Sequence, residues 1–164
     1  MNRVTLVCIA ILLVGSAFLF GESEGDWRTR AGGNWTATNV WQRYESGAWV
    51  DKTTNPSGTS TSNTITIIAN HSIAINSNRS IGKISVYGTL SVNTGRTLTT
   101  EIIDVNPGQS TSPVGKLSLS GTGKIAFGSA GEIKIHPYGE FAASSGGLIT
   151  GIGKFTLLAN AVFD

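Results

Sequence analysis

The chain holds one cysteine, Cys8, and it falls inside the apolar stretch at the start. Whatever follows that stretch has no thiol, which excludes disulfides, thiolate zinc ligands and a cysteine nucleophile from it. Charge is scarce as well, at 13% of residues. Arg3 is the only charged residue before Glu22, so the remainder carries 11 Lys and Arg against 10 Asp and Glu, a net charge of +1. So small a balance, with basic residues scattered and no RNA-binding aromatic motif, gives no ground for nucleic-acid binding. Histidine occurs only at His71 and His136, without H-x-H or H-E-x-x-H spacing, so no metal centre is expected and no cofactor is implied. Beyond the leader no segment shows a helical period.

What is present begins with that leader. Arg3 supplies a positive end, and residues 4–20 are apolar apart from Thr5, Gly15 and Ser16. Residues 1–21 fit a secretory signal peptide, with cleavage expected after Ala17 or later, towards Ser23 or Gly25. The competing reading is a retained anchor, which a 17-residue apolar run barely supports. Cleavage leaves a protein with no membrane segment, secreted or held at the cell surface.

Three regions follow. Residues 26–63 open with all four tryptophans, Trp27, Trp35, Trp41 and Trp49, together with Tyr44, and close on the polar loop DKTTNPSGTSTSN (51–63). Residues 64–164 read as short strands of three to five residues bounded by Gly, Asn, Ser or Pro. Expected strands include 64–68, 72–75, 84–86, 90–92, 102–105, 117–119, 125–127, 133–135, 141–143 and 155–158. The segment NPGQSTSP (106–113) is a polar excursion from this series.

Within the third region glycine recurs every eight residues, at Gly115, Gly123, Gly131, Gly139 and Gly147. Two residues after each comes Leu117, Ile125, Ile133, Phe141 or Ile149; four after come Leu119, Phe127, Ile135 and Ala143. Both offsets fall on one face of a strand, and the glycine marks a corner where the backbone needs freedom. A fixed short period signals units that bury their faces only by stacking on neighbours.

Short strands at this spacing permit a β-sandwich of hairpins or a solenoid of stacked coils. The residue after each glycine favours the solenoid. It reads Lys116, Lys124, Glu132, Glu140, and a hairpin meander would set like charges side by side. Three repeats per coil, about 24 residues, bring Lys116 beside Glu140; two per coil bring it beside Glu132. Exposed pairs contribute only about 0.2–1 kcal/mol, so this inclines the choice without fixing it. The expected architecture is an all-β, single-stranded parallel β-helix with three-sided coils, an aromatic N-terminal cap and a preceding signal-peptide helix. In it Leu117 stacks on Phe141, Ile125 on Ile149 and Ile133 on Leu157.

The segments GGNWTATNVWQRYESGAWV (32–50) and SNTITIIANHSIAIN (62–76), with GTLSV (88–92), GKLSL (115–119) and GKIAF (123–127), carry a resemblance. They resemble the tryptophan-rich opening and G-x-L-x-V repeats of large secreted bacterial surface proteins of the adhesin-like parallel β-helix type. That resemblance implies a right-handed coil, export, and an adhesive or structural role. The strand pattern runs on through the last residues, so self-association through an open C-terminal coil, extending into filaments, is expected.

Against that stands a second function. Tryptophans on a flat β-surface stack on sugar rings, which would make the chain a non-catalytic carbohydrate-binding module for extracellular glycans. The competing use of Trp27, Trp35, Trp41, Tyr44 and Trp49 is as the cap that a solenoid requires. Catalysis is not expected: Glu101 and Asp104 stand three apart, on opposite faces of a strand, and make no acid–base dyad. Asn34, Asn70 and Asn78 begin glycosylation-type triplets and are read as turn asparagines.

Overall fold

The computed structural model describes residues 21–58, 60–108, 114–151 and 153–164. The expected signal-peptide helix, through residue 20, and most of the 106–113 excursion lie outside the described residues. Among the described residues there is no helix, and the fold is all-β.

Fifteen strands follow in order: β1 (Trp27–Thr29), β2 (Gly33–Asn34), β3 (Trp41–Glu45), β4 (Ala48–Lys52), β5 (Thr64–Ile67), β6 (Ser72–Ile75), β7 (Arg79–Val86), β8 (Thr89–Val92), β9 (Thr97–Val105), β10 (Lys116–Leu119), β11 (Lys124–Ile135), β12 (Glu140–Ala143), β13 (Leu148–Thr150), β14 (Gly153–Leu157) and β15 (Val162–Phe163). One sheet runs β13-β11-β9-β7-β5-β1-β3-β4, with β14 also on β11; the other runs β15-β12-β10-β8-β6-β2. From β5 to β13 the chain changes sheet at every strand, so hydrogen-bonded neighbours are two apart in order. All pairings are parallel except those of β3, which runs antiparallel to β1 and β4. Parallel neighbours cannot be joined by tight hairpins, and here the strand of the opposite sheet makes each crossover.

The core lies between the sheets and is built from alternation. Strands β5, β8 and β10 each bury their second and fourth residues. In register these form columns: Ile65, Ile84, Ile103, Ile133, Phe155 in one sheet and Ile73, Leu90, Leu117, Phe141, Phe163 in the other. A third inward set is Leu98, Ile125 and Ile149. Burying each enclosed member of these columns, from Ile65 to Ile133 and from Ile73 to Phe141, stabilises by about 1.5–3 kcal/mol, which offsets the ordering of a glycine-rich chain.

The stacking matches expectation at Leu117 on Phe141 and Ile125 on Ile149. It departs at Ile133, which pairs with Phe155, while Leu157 pairs with Ile135. The reason is local. β11 carries extra residues between Phe127 and Glu132, where its pairing with β9 also jumps, and the following strands make the same bend more directly. For the same cause residues 125–127 and 133–135, expected as two strands, lie in one. The repeat is also uneven along the chain: Lys83 sits beside Thr64, and Lys116 beside Thr89, before the spacing reaches 24 at Lys116 and Glu140.

Five corners are four-residue turns of one kind, closed by a backbone bond from the fourth residue to the first, at 68–71, 93–96, 136–139, 144–147 and 158–161. In each the third residue has a positive φ: Asn70, Gly95, Tyr138, Gly146 and Asn160. That is the requirement of a type II turn, and Pro137 adds the usual second residue.

Candidate functional site

The tryptophans divide into two groups. Trp35 and Trp41 are fully buried, with ring centroids 4.6 Å apart and planes inclined at 55°. Neither indole is left unsatisfied: Trp35 Nε1 donates to the Pro56 carbonyl at 3.0 Å, and Trp41 Nε1 to the Trp35 carbonyl at 2.8 Å. The polar 51–63 segment thus helps enclose Trp35 through Pro56, although Asp51 and Lys52 belong to β4. Neither Trp35 nor Trp41 can meet a sugar, because burial leaves no ring face accessible. Trp27 packs partly against the core, with the Arg43 guanidinium 5.8 Å from its ring.

Trp49 and Tyr44 face outward. Ser46 and Gly47, both with positive φ, form the two-residue connection of the β3–β4 hairpin, the type I′ solution that fits strand twist. The register then sets Tyr44 opposite Trp49 and aligns Arg28, Gln42 and Asp51 across three strands. Since Trp41 points inward, its alternating neighbours Gln42 and Tyr44 point out, and their partners with them.

These side chains are bonded to one another. Arg28 Nε donates to Gln42 Oε1 at 2.8 Å, Gln42 Nε2 donates to Asp51 Oδ1 at 2.8 Å, and Asp51 also pairs with Arg30. The Arg28 guanidinium lies 4.4 Å from the Trp49 ring centroid, and Tyr44 meets Trp49 edge-on at 5.3 Å. The result is a preformed aromatic and hydrogen-bonding surface on one side of a sheet. Periodicity could not reveal it, since the hairpin lies outside the repeat.

The glycines take another part than conformational freedom. Gly115, Gly123, Gly139 and Gly147 each immediately precede a strand, and Gly131 lies inside β11 beside its register jump. None of the five has a positive φ. A Cβ on Gly115 would stand 2.2 Å from the Val86 carbonyl oxygen, and one on Gly123 2.3 Å from that of Val92. Close backbone approach between layers is what demands glycine there.

The titratable residues are dispersed. His71 Nδ1 lies 2.8 Å from Thr29 Oγ1, which also accepts from the Ile68 N–H at 3.0 Å, and burial pulls the imidazole down. His136 Nε2 lies 3.0 Å from Asp104 Oδ1. Burial, with Asp104 adding to it, pushes the Tyr87 phenol up to about 12. No three of the His, Cys, Asp and Glu side chains among the described residues gather closely enough to hold a metal ion. Of the three triplet asparagines, Asn70 occupies a turn and Asn78 Oδ1 accepts from the Thr97 N–H at 3.0 Å, whereas Asn34 is in β2, paired with Ala74.

At the opposite end of the sheets, β13, β14 and β15 are edge strands. Leu148, Leu157, Val162 and Phe163 are exposed there, Phe163 to 62%. Phe141, Phe155 and Phe163 cluster with centroids 5.2–6.1 Å apart around a cavity of about 380 Å³ that Leu119 and Phe127 also line.

Comparison with known proteins finds no matching family model, no matching curated protein and no matching solved structure.

Proposed function

We propose that this chain is an exported β-solenoid with three-sided, right-handed coils, acting as a structural or adhesive component of a bacterial surface or extracellular matrix. It works through its surfaces and not by catalysis. The observation that supports this most is the difference between its two ends. The tryptophan pair and the β3–β4 hairpin cover one end of the stacked strands, while β13, β14 and β15 at the other carry exposed Leu157, Val162 and Phe163. Unpaired edges with apolar side chains take up further strands, and natural proteins that avoid this blunt them with charge or proline. Here the edge residues are mainly aliphatic and aromatic, and self-association through that layer follows.

The test is light scattering and negative-stain imaging of the purified mature protein. Assemblies larger than the monomer are expected, and Leu157→Lys with Phe163→Glu should return them to monomers. Monodisperse monomers of the unaltered chain at high concentration would remove self-association from the reading. Recovery of the chain only from the cytoplasmic fraction of its host would remove the export.

A further inference from the structure

The outward face of β1, β3 and β4 is used neither by the core nor by the open end. It combines a half-buried indole, a phenol and a hydrogen-bonded row of guanidinium, amide and carboxylate groups. We propose that this face binds neutral pyranose units of a polysaccharide, Trp49 taking the apolar ring face of the sugar and the Arg28–Gln42–Asp51 row its hydroxyl edge.

The chemistry argues for a sugar in three ways. A pyranose presents axial C–H groups on one face and hydroxyls round its rim, and so needs an aromatic plane bordered by donors and acceptors. Trp49 supplies the plane, Tyr44 stands edge-on beside it at 64°, and the row supplies both kinds of polar group across the three adjacent strands. Second, the polar groups are already oriented. Gln42 is held at both ends of its amide, and Arg28 is held through Nε, which leaves its terminal nitrogens with no hydrogen-bond acceptor among the described residues. Preorganised groups lose little freedom on binding, which is where affinity for a small polar ligand is usually lost. Third, charge selects the class. Arg30 is neutralised by Asp51, and Glu22 lies close enough to act on Arg28, so the face offers an acidic polymer no net attraction.

Trp49 is the contact residue of this surface, and Arg28 is both a contact and the group that fixes the indole plane. The inference deepens the adhesive reading by naming a ligand class, and it stands apart from self-association. A protein that never assembles can still bind sugar here, and one that binds no sugar can still assemble.

Calorimetric titration of the full mature chain with cellohexaose, mannohexaose and chitohexaose tests it, with oligogalacturonate as the acidic probe. Saturable binding of at least one neutral oligosaccharide is expected. Trp49→Ala should weaken it about tenfold or more, or ~1.4 kcal/mol, and Trp49→Phe should recover part of the loss. Gln42→Ala should weaken it several-fold, while Tyr138→Ala, on the distant corner between β11 and β12, should leave it unchanged. Thermal melts of each variant separate lost binding from lost folding, since Trp49 is no part of the buried core. The proposal is overturned if no neutral probe binds at millimolar concentration, if only oligogalacturonate binds, or if a folded Trp49→Ala binds like the parent.

Discussion

Lys116 and Glu140 lie side by side on β10 and β12, 24 residues apart, with the ammonium hydrogen-bonded to the carboxylate. The neighbouring inward residues Leu117 and Phe141 are in register beneath them, so one pairing aligns a polar outer pair and an apolar inner pair. Charge reversal isolates the outer contribution. Lys116→Glu alone and Glu140→Lys alone should each destabilise by about 0.5–1 kcal/mol, through like charges set opposite each other. The double exchange should recover most of that, read as urea midpoints at low salt. Strict additivity of the two single losses would mean that the pair is not coupled in solution.

At Gly115 and Gly123 the glycine records a close approach to the backbone of the neighbouring strand's end, and Gly88 shares this. At Gly88 an added Cβ would stand 2.2 Å from the His71 carbonyl oxygen and 2.4 Å from that of Ile68, and at Gly115 it would meet Val86 and Asn106 backbone atoms. No rotamer change relieves a clash with backbone. Gly88→Ala and Gly115→Ala should therefore cost about 2–4 kcal/mol by forcing adjacent layers apart. Gly47→Ala is the contrasting case, because nothing lies within 4 Å and only its φ of +83° resists the methyl group. Its cost should stay near 1 kcal/mol. Equal losses at the two kinds of site would show that contact distance is not the constraint.

Asn106 is fully buried and bridges three segments. Its Nδ2 donates to the Pro137 carbonyl at 2.8 Å, its Oδ1 accepts from the Gly115 N–H at 3.3 Å, and its own N–H donates to the Val86 carbonyl at 2.8 Å. With a φ of +58° it also holds a backbone conformation that asparagine tolerates better than most residues. Asn106→Ala should cost about 2–4 kcal/mol, from two lost hydrogen bonds and a stranded carbonyl. Asn106→Asp gives a sharper test. An ionised carboxylate would face the Pro137 carbonyl, whereas a protonated one can donate to it. Burial against a carbonyl raises the folded-state value of the new carboxyl above its unfolded one. The stability of this variant, relative to the parent, should therefore rise as pH falls through that folded value. A pH-independent difference would place the side chain elsewhere.

Residues 64–143 were legible because alternation names the inward residues throughout, and from Gly115 on the glycine spacing adds where β10, β11, β12 and β13 begin, although Gly131 falls inside β11. A rule of this kind sees spacing in the chain and not paths in space, so it missed the extra residues of β11 between Phe127 and Glu132, which shift Phe155 to Ile133. It also took glycine for a source of flexibility, when the positive φ values fall on the residues just ahead, such as Tyr138 before Gly139 and Gly146 before Gly147. The aromatic cluster was legible as a cluster but not as two populations. Trp35 is enclosed through Pro56 and Trp49 turned outward by the β3–β4 register, and both depend on pairings that no local pattern encodes.

Tyr138 is the exception among the turn residues. The equivalent positions hold Asn70, Gly95, Gly146 and Asn160, residue types that accept a left-handed backbone readily, while Tyr138 adopts a φ of +62° with its ring exposed. The turn is otherwise well formed: Gly139 N–H donates to the His136 carbonyl at 2.9 Å, and Tyr138 N–H to the Asn160 carbonyl of the next layer at 2.9 Å. Both bonds use backbone alone and survive a change of side chain. Tyr138→Asn should raise stability by about 1 kcal/mol, the strain a bulky residue bears in this region. Tyr138→Gly should raise it less, because glycine also gains freedom in the unfolded chain. Thermal melts of the two variants decide the matter. A loss of stability in both would show that the exposed ring contributes more through packing than the backbone conformation costs.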